Sequence, residues 1–100
     1  MIIGNAFSLQ MVGPTAQINV SLITSEEVSK LPLESVIGHV DTAFLVGKML
    51  GQDLPANRAN VTLKPGDSMI VAQYIGPRLP EGAKELPFGA RIEFRLVKVN

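Results

Sequence analysis

Ser68-Met69-Ile70-Val71-Ala72-Gln73-Tyr74-Ile75 is the stretch that decides the fold. Side chains along a strand alternate between two faces. Here both alternating sets are apolar, Met69 and Val71 on one and Ile70 and Ala72 on the other. A strand of this kind buries both faces and belongs in the middle of a sheet. Gln73 is the exception, and inside such a strand it calls for a hydrogen-bond partner. Just before the run, Lys64-Pro65-Gly66-Asp67 spells a tight turn, preceded by Ala59, Val61 and Leu63, which alternate as another strand. After it, Gly76 to Gly89 is a long loop holding three prolines and three glycines. A loop of this length in so small a domain is characteristically functional or disordered, and its prolines argue for order. Arg91 to Val99 then forms a strand with Ile92, Phe94 and Leu96 on one face.

Toward the N-terminus, Ile2 to Phe7 reads as a short strand. Ser8 to Val12 is one helical turn capped by Ser8 and stopped by Gly13-Pro14. Thr15 to Ile23 is a strand with Ile18, Val20 and Leu22 on one face. Thr24-Ser25-Glu26-Glu27 is a capping box opening a short helix that Pro32 ends. A longer helix lies between Ser35 and Leu50, with Val36, Val40, Ala43, Phe44, Gly47 and Leu50 at helical spacing. Either Ser35 caps it, or Gly38-His39 precedes a start nearer Asp41. Phe44 and Phe94 are expected in the core. The reading is α/β: residues 1–100 as a single small domain, a mixed sheet of about five strands flanked by helices.

The chain has 100 residues, 46% hydrophobic and 18% charged, which excludes a disordered polar tail. Lys+Arg and Asp+Glu are nine each, so the net charge is zero. That argues against a duplex-DNA coater, which needs a basic excess to displace counterions. The charge is uneven, however. Residues 1–50 carry two lysines and four acids, net −2. Residues 51–100 carry three lysines, all four arginines and five acids, net +2. There is no cysteine, so disulfides, zinc fingers and thiol catalysis are excluded. No apolar run approaches the roughly 20 residues of a membrane span, and Met1 to Gln10 lacks the basic and apolar regions of a signal peptide. An intracellular home is expected. A domain this size buries only roughly two-thirds of its unfolded surface, so pairing with a second copy is a natural remedy.

His39 is the only histidine, and the aspartates are dispersed, so no histidine-rich metal site is expected. Asp53 and Asp67 read as capping residues. His39 and Asp41 are two apart and do not face each other on a helix, which disfavours a Ser–His–Asp arrangement. No Gly-rich phosphate loop follows a strand. One imidazole and several arginines remain, a set suited to transesterification of RNA. There the nucleophile, the 2′-hydroxyl, belongs to the substrate. The protein need only stabilise the phosphate and protonate the departing 5′-oxygen. Taken alone, a lone histidine in a small domain reads more readily as structural, and Arg78 with Glu81 as a solvated i,i+3 pair. Gly38-His39 nevertheless sits at a junction entering a helix, where backbone N–H groups meet anions. Arg78 follows Pro77 on a stiffened backbone.

Four stretches in order carry a family resemblance: Gly4 to Leu9 (GNAFSL), Ile37 to Ala43 (IGHVDTA), Asn57-Arg58, and Val71 to Gly82 (VAQYIGPRLPEG). On these the chain resembles the viral ring nucleases, a type III anti-CRISPR family of archaeal viruses and bacteriophages. The resemblance implies a homodimer with its site at the dimer interface. It implies metal-independent cleavage of cyclic tetra-adenylate, the second messenger of type III CRISPR defence, to linear di-adenylate with a 2′,3′-cyclic phosphate. Carried over by position, His39 is the general acid and Glu81 a catalytic-site residue that orients His39 or a water. Asn5, Ser8, Gln10, Arg58, Gln73 and Arg78 are ligand contacts. No cofactor, membrane or duplex nucleic acid is implied, and the place of action is the cytoplasm, that of the host cell if the chain is viral. Three hypotheses remain on the sequence: a ring nuclease, a sponge that binds the ring without cutting it, and a structural or DNA-associated viral dimer. The presence of His39 favours the first over the second. Neutral charge and the lack of a basic helix count against the third.

Overall fold

Ser68–Ile75 is the middle strand of five. In the computed structural model, which describes residues 1–100, the strands are β1 (Ile2–Gly4), β2 (Ile18–Ile23), β3 (Glu34–Ser35), β4 (Ser68–Ile75) and β5 (Arg91–Val99). The helices are a 3₁₀ turn at Leu9–Met11, α1 (Ser25–Ser29) and α2 (Val40–Leu50). The sheet order is β2-β5-β4-β1-β3. β1 runs parallel to both β4 and β3, whereas β5 is antiparallel to β4 and β2. The segments leaving β1, β3 and β4 therefore emerge at one end of the sheet, where ligand crevices of open α/β sheets lie.

Both faces of β4 are covered, as its two apolar sets require. Ile70 and Ala72 meet Ile3, Phe94, Val28 of α1 and Ala43, Val46 and Leu50 of α2. Met69 and Val71 join Val97, Val99 and Leu63 on the opposite face, under Phe7, Met11, Val12 and Val61. The caps follow the sequence. Thr24 and Glu27 exchange the hydrogen bonds of a capping box, Ser8 Oγ accepts from Gln10 N–H, and Asp67 Oδ2 accepts from Lys64 N–H across the turn at 64–67.

Several expectations are corrected. Residues 59–63 form no strand. Their alternation instead points Val61 and Leu63 onto the sheet face, anchored by Leu63 N–H bonding to Met11 C=O. The fifth strand is the two-residue Glu34–Ser35, too short to show a period. Strand β1 stops at Gly4 rather than Phe7, because the chain turns there to lay Phe7 over the second face. Strand β2 begins at Ile18, not Thr15, with Val20 and Leu22 largely exposed. Helix α2 is capped by His39 itself, not by Ser35, which is a buried strand residue. Phe94 is buried as expected, but Phe44 is 49% exposed. Gln73 is exposed on the Met69/Val71 face beyond the cover, and needs no buried partner. No helix follows Asp53, so it caps nothing.

Candidate functional site

The site is assembled where β1, β3 and β4 end. After β3 the backbone continues without regular secondary structure to Gly38, and two other segments hold it. Asn57 N–H bonds to Ile37 C=O at 2.7 Å, and Asn57 Nδ2 donates to Ser35 C=O at 3.1 Å. The Gly38 peptide is gripped from both sides. Its N–H donates to Asn5 Oδ1 at 3.4 Å, and its C=O accepts from Arg58 Nε at 3.1 Å. The Arg58 stem lies so close over Gly38 that a Cβ there would stand 2.9 Å from Arg58 Cγ. Only glycine permits that approach, and it leaves the terminal guanidinium nitrogens without a partner in the chain.

His39 follows as the N-cap of α2. Its Nδ1 accepts from Thr42 N–H at 3.3 Å, and Thr42 Oγ1 lies at the same distance from Nδ1. A nitrogen that accepts carries no proton, so this contact assigns the neutral ring's proton to Nε2. The exposed edge of His39 thus presents a donor, while the buried Thr42 fixes the ring from behind.

The loop after β4 closes the other wall. Tyr74 Oη donates to Pro77 C=O, and Gly82 N–H donates to Asp41 Oδ2 at 2.9 Å. Gly82 sits at φ 75°, a conformation that favours glycine. Between loop and helix lies an open cleft of about 660 Å³, lined by His39, Asp41 and Thr42 on one side and Arg78, Leu79 and Glu81 on the other. Arg78 and Glu81 do not pair with each other. The ion pairs of the chain are Lys30–Glu26, Arg91–Glu93 and Arg95–Glu93. The solvated-pair reading of Arg78 and Glu81 is thereby corrected, and both groups are free to meet a ligand.

Of the residues singled out in the sequence, His39, Arg78 and Glu81 share this cleft, and Asn5 and Arg58 grip the peptide beside it. Ser8, Gln10 and Gln73 stand outside it. Ser8 caps the 3₁₀ turn of the segment covering the opposite sheet face, and Gln73 lies on that same face. Asp41 and Thr42 are cleft residues that the sequence did not single out as such. Two polar residues in the first turn after a capping histidine were the available signal.

A sequence model described as STIV B116-like matches residues 1–87, which include every site position named above. The chain belongs to the STIV B116-like family. A solved structure of B116 of Sulfolobus turreted icosahedral virus is similar to this B116-like chain. It has a TM-score of 0.76 and 28% sequence identity over 97% of each chain. No curated protein sequence matches. The B116 match agrees with the single five-strand α/β domain and supports the viral side of the resemblance. No helix of this B116-like chain is long and apolar enough to cross a membrane.

Proposed function

We propose that this B116-like chain is a metal-independent ring nuclease that cleaves cyclic tetra-adenylate to linear di-adenylate and so switches off type III CRISPR defence. The observation that carries the reading is the cleft itself. One histidine donor, one unpaired arginine and one unpaired carboxylate face each other there, at the ends of parallel strands. In the step proposed, the substrate's 2′-oxygen bonds to the adjacent phosphorus and the bond from phosphorus to the 5′-oxygen breaks. Arg78 and Arg58 offset charge on the phosphate, the 2′-hydroxyl proton passes to solvent, and His39 Nε2 protonates the departing 5′-oxygen. Glu81 orients the histidine or a water. A ring that delivers a full proton begins as the imidazolium. Its Nδ1 then gives up the bond from Thr42 N–H and donates to Thr42 Oγ1, already 3.3 Å away.

The active form proposed is a homodimer with its site at the interface of two copies. A ring of four nucleotides matches a two-fold axis, which makes opposite phosphates equivalent and supplies one His39 to each. Ser8, Gln10 and Gln73, outside the cleft of their own chain, contact the ring across that axis. Exposed Val40 and Phe44, on the helix that His39 caps, offer apolar surface for pairing beside the cleft. Incubation with cyclic tetra-adenylate in EDTA tests the reading. The expected products carry a 2′,3′-cyclic phosphate and a 5′-hydroxyl. Binding without cleavage would replace the reading with that of a sponge, and the absence of both binding and cleavage would refute it outright. A 3′-hydroxyl with a 5′-phosphate would mean that water or a metal-bound hydroxide attacked.

A further inference from the structure

We propose that Asp41 is a positioning residue, a clasp that holds the segment Arg78 to Gly82 over His39. The inference rests on the ring-nuclease reading of the cleft. The loop from Gly76 to Gly89 has no backbone ladder to the rest of the chain. The backbone bonds that involve it, Ala83 N–H to Pro80 C=O and Ala90 N–H to Pro87 C=O, are local turns. Three side-chain bonds tie it to the body: Tyr74 Oη to Pro77 C=O at 2.6 Å, Lys48 Nζ to Lys84 C=O at 3.2 Å, and Gly82 N–H to Asp41 Oδ2 at 2.9 Å. Tyr74 fixes only the start of the loop. Lys48 is exposed, on a long flexible stem, and acts beyond the cleft.

The Asp41 bond alone reaches the residue next to Glu81. It originates in the helical turn that His39 caps, about 3 Å further along the axis at 1.5 Å per residue. Histidine and loop are thereby referred to one rigid frame. Asp41 is partly buried, and the turn from Pro80 to Ala83, with Gly82 at φ 75°, turns the Gly82 N–H toward it. The bond also occupies a carboxylate oxygen that would otherwise face an anionic ligand in the same cleft. A purely structural role is the alternative, since an acid in the first turn favours any helix.

Two substitutions in the full chain separate these roles. Asp41→Ala removes the acceptor, whereas Asp41→Asn keeps an oxygen in the same place without the charge. By amide hydrogen exchange, Asp41→Ala is expected to speed exchange at Gly82 at least tenfold while Ile70 in β4 keeps its protection. With cyclic tetra-adenylate, kcat is expected to fall about tenfold, within the range that misplacing catalytic groups costs. Asp41→Asn should restore both readouts to within about threefold of the wild type. Unchanged exchange at Gly82 in Asp41→Ala overturns the clasp, as does equal loss of protection at Gly82 and Ile70, or an asparagine variant as impaired as the alanine one. A wild-type chain that leaves the ring uncut overturns the ring-nuclease reading instead, and exchange at Gly82 then decides the clasp alone.

Discussion

Gly38→Ala is expected to disable Arg58 without altering it. The added Cβ falls 2.9 Å from Arg58 Cγ and 3.4 Å from its Nε, whereas carbons in contact stand about 3.5–4.0 Å apart. The backbone at Gly38 is outside the left-handed region, so alanine itself is unstrained there. What yields is the exposed arginine stem, which swings away and loses its 3.1 Å bond to the Gly38 carbonyl. That bond contributes about 1 kcal/mol to folding. Restricting the unfolded chain by replacing glycine with alanine returns about 0.4–1 kcal/mol. The two nearly cancel, so the melting temperature should move by less than about 5 °C. Ligand binding has no such offset. A guanidinium contact to phosphate is worth about 1.5–3 kcal/mol, or about ten- to a hundredfold in Kd. Calorimetry with cyclic tetra-adenylate, in a His39→Ala background so that the ring is not consumed, measures this directly. Gly38→Ala and Arg58→Ala remove the same contact, so the double variant should bind no more weakly than Arg58→Ala alone. Wild-type affinity in Gly38→Ala, or losses that add in the double variant, would refute the argument.

His39→Ala should lose cleavage by about 10²–10⁴-fold while still binding the ring; a variant that cuts at the wild-type rate returns His39 to a capping role alone. Light scattering at micromolar concentration should give about twice the chain mass, and a monomer that still cleaves would exclude the shared site.

The sheet was largely legible because periodicity reports burial, and burial is what β4 and β5 express. Both apolar sets of 68–75 are covered, and Ile92, Phe94 and Leu96 pack toward the helices. The same property explains the false strand at 59–63. Val61 and Leu63 face inward as alternation requires, but they cover the sheet rather than extend it. Alternation records which side chains are buried and says nothing of which backbone pairs with which. Glu34–Ser35 shows the converse, since two residues carry no period and their pairing with Ile2 and Ile3 is set entirely by neighbours. Phe44 obeyed helical spacing and still came out half exposed, because an 11-residue helix lying on one sheet face buries only part of its surface.

The site was legible in residue types and illegible in connections. His39, at the entry to a helix, and Arg78, beside a proline, drew notice by residue type and place, whereas Glu81 joined them only through the family resemblance. Their proximity follows from topology, which no local pattern encodes. β4 and β3 flank β1 and end at the same end of the sheet, so a helix start after one and a loop after the other come together there. The bonds that then fix the geometry join partners far apart in the chain: Arg58 to Gly38 over 20 residues, Asn5 to Gly38 over 33, and Gly82 to Asp41 over 41. Each uses a residue with an ordinary local explanation, a glycine in a loop or an aspartate in a first helical turn. That ordinary explanation is incomplete wherever the same atom also has a distant partner. Gly38 is where this weighs most. In the sequence it marks only a break before a helix. In the fold its missing side chain is the space that the Arg58 stem occupies.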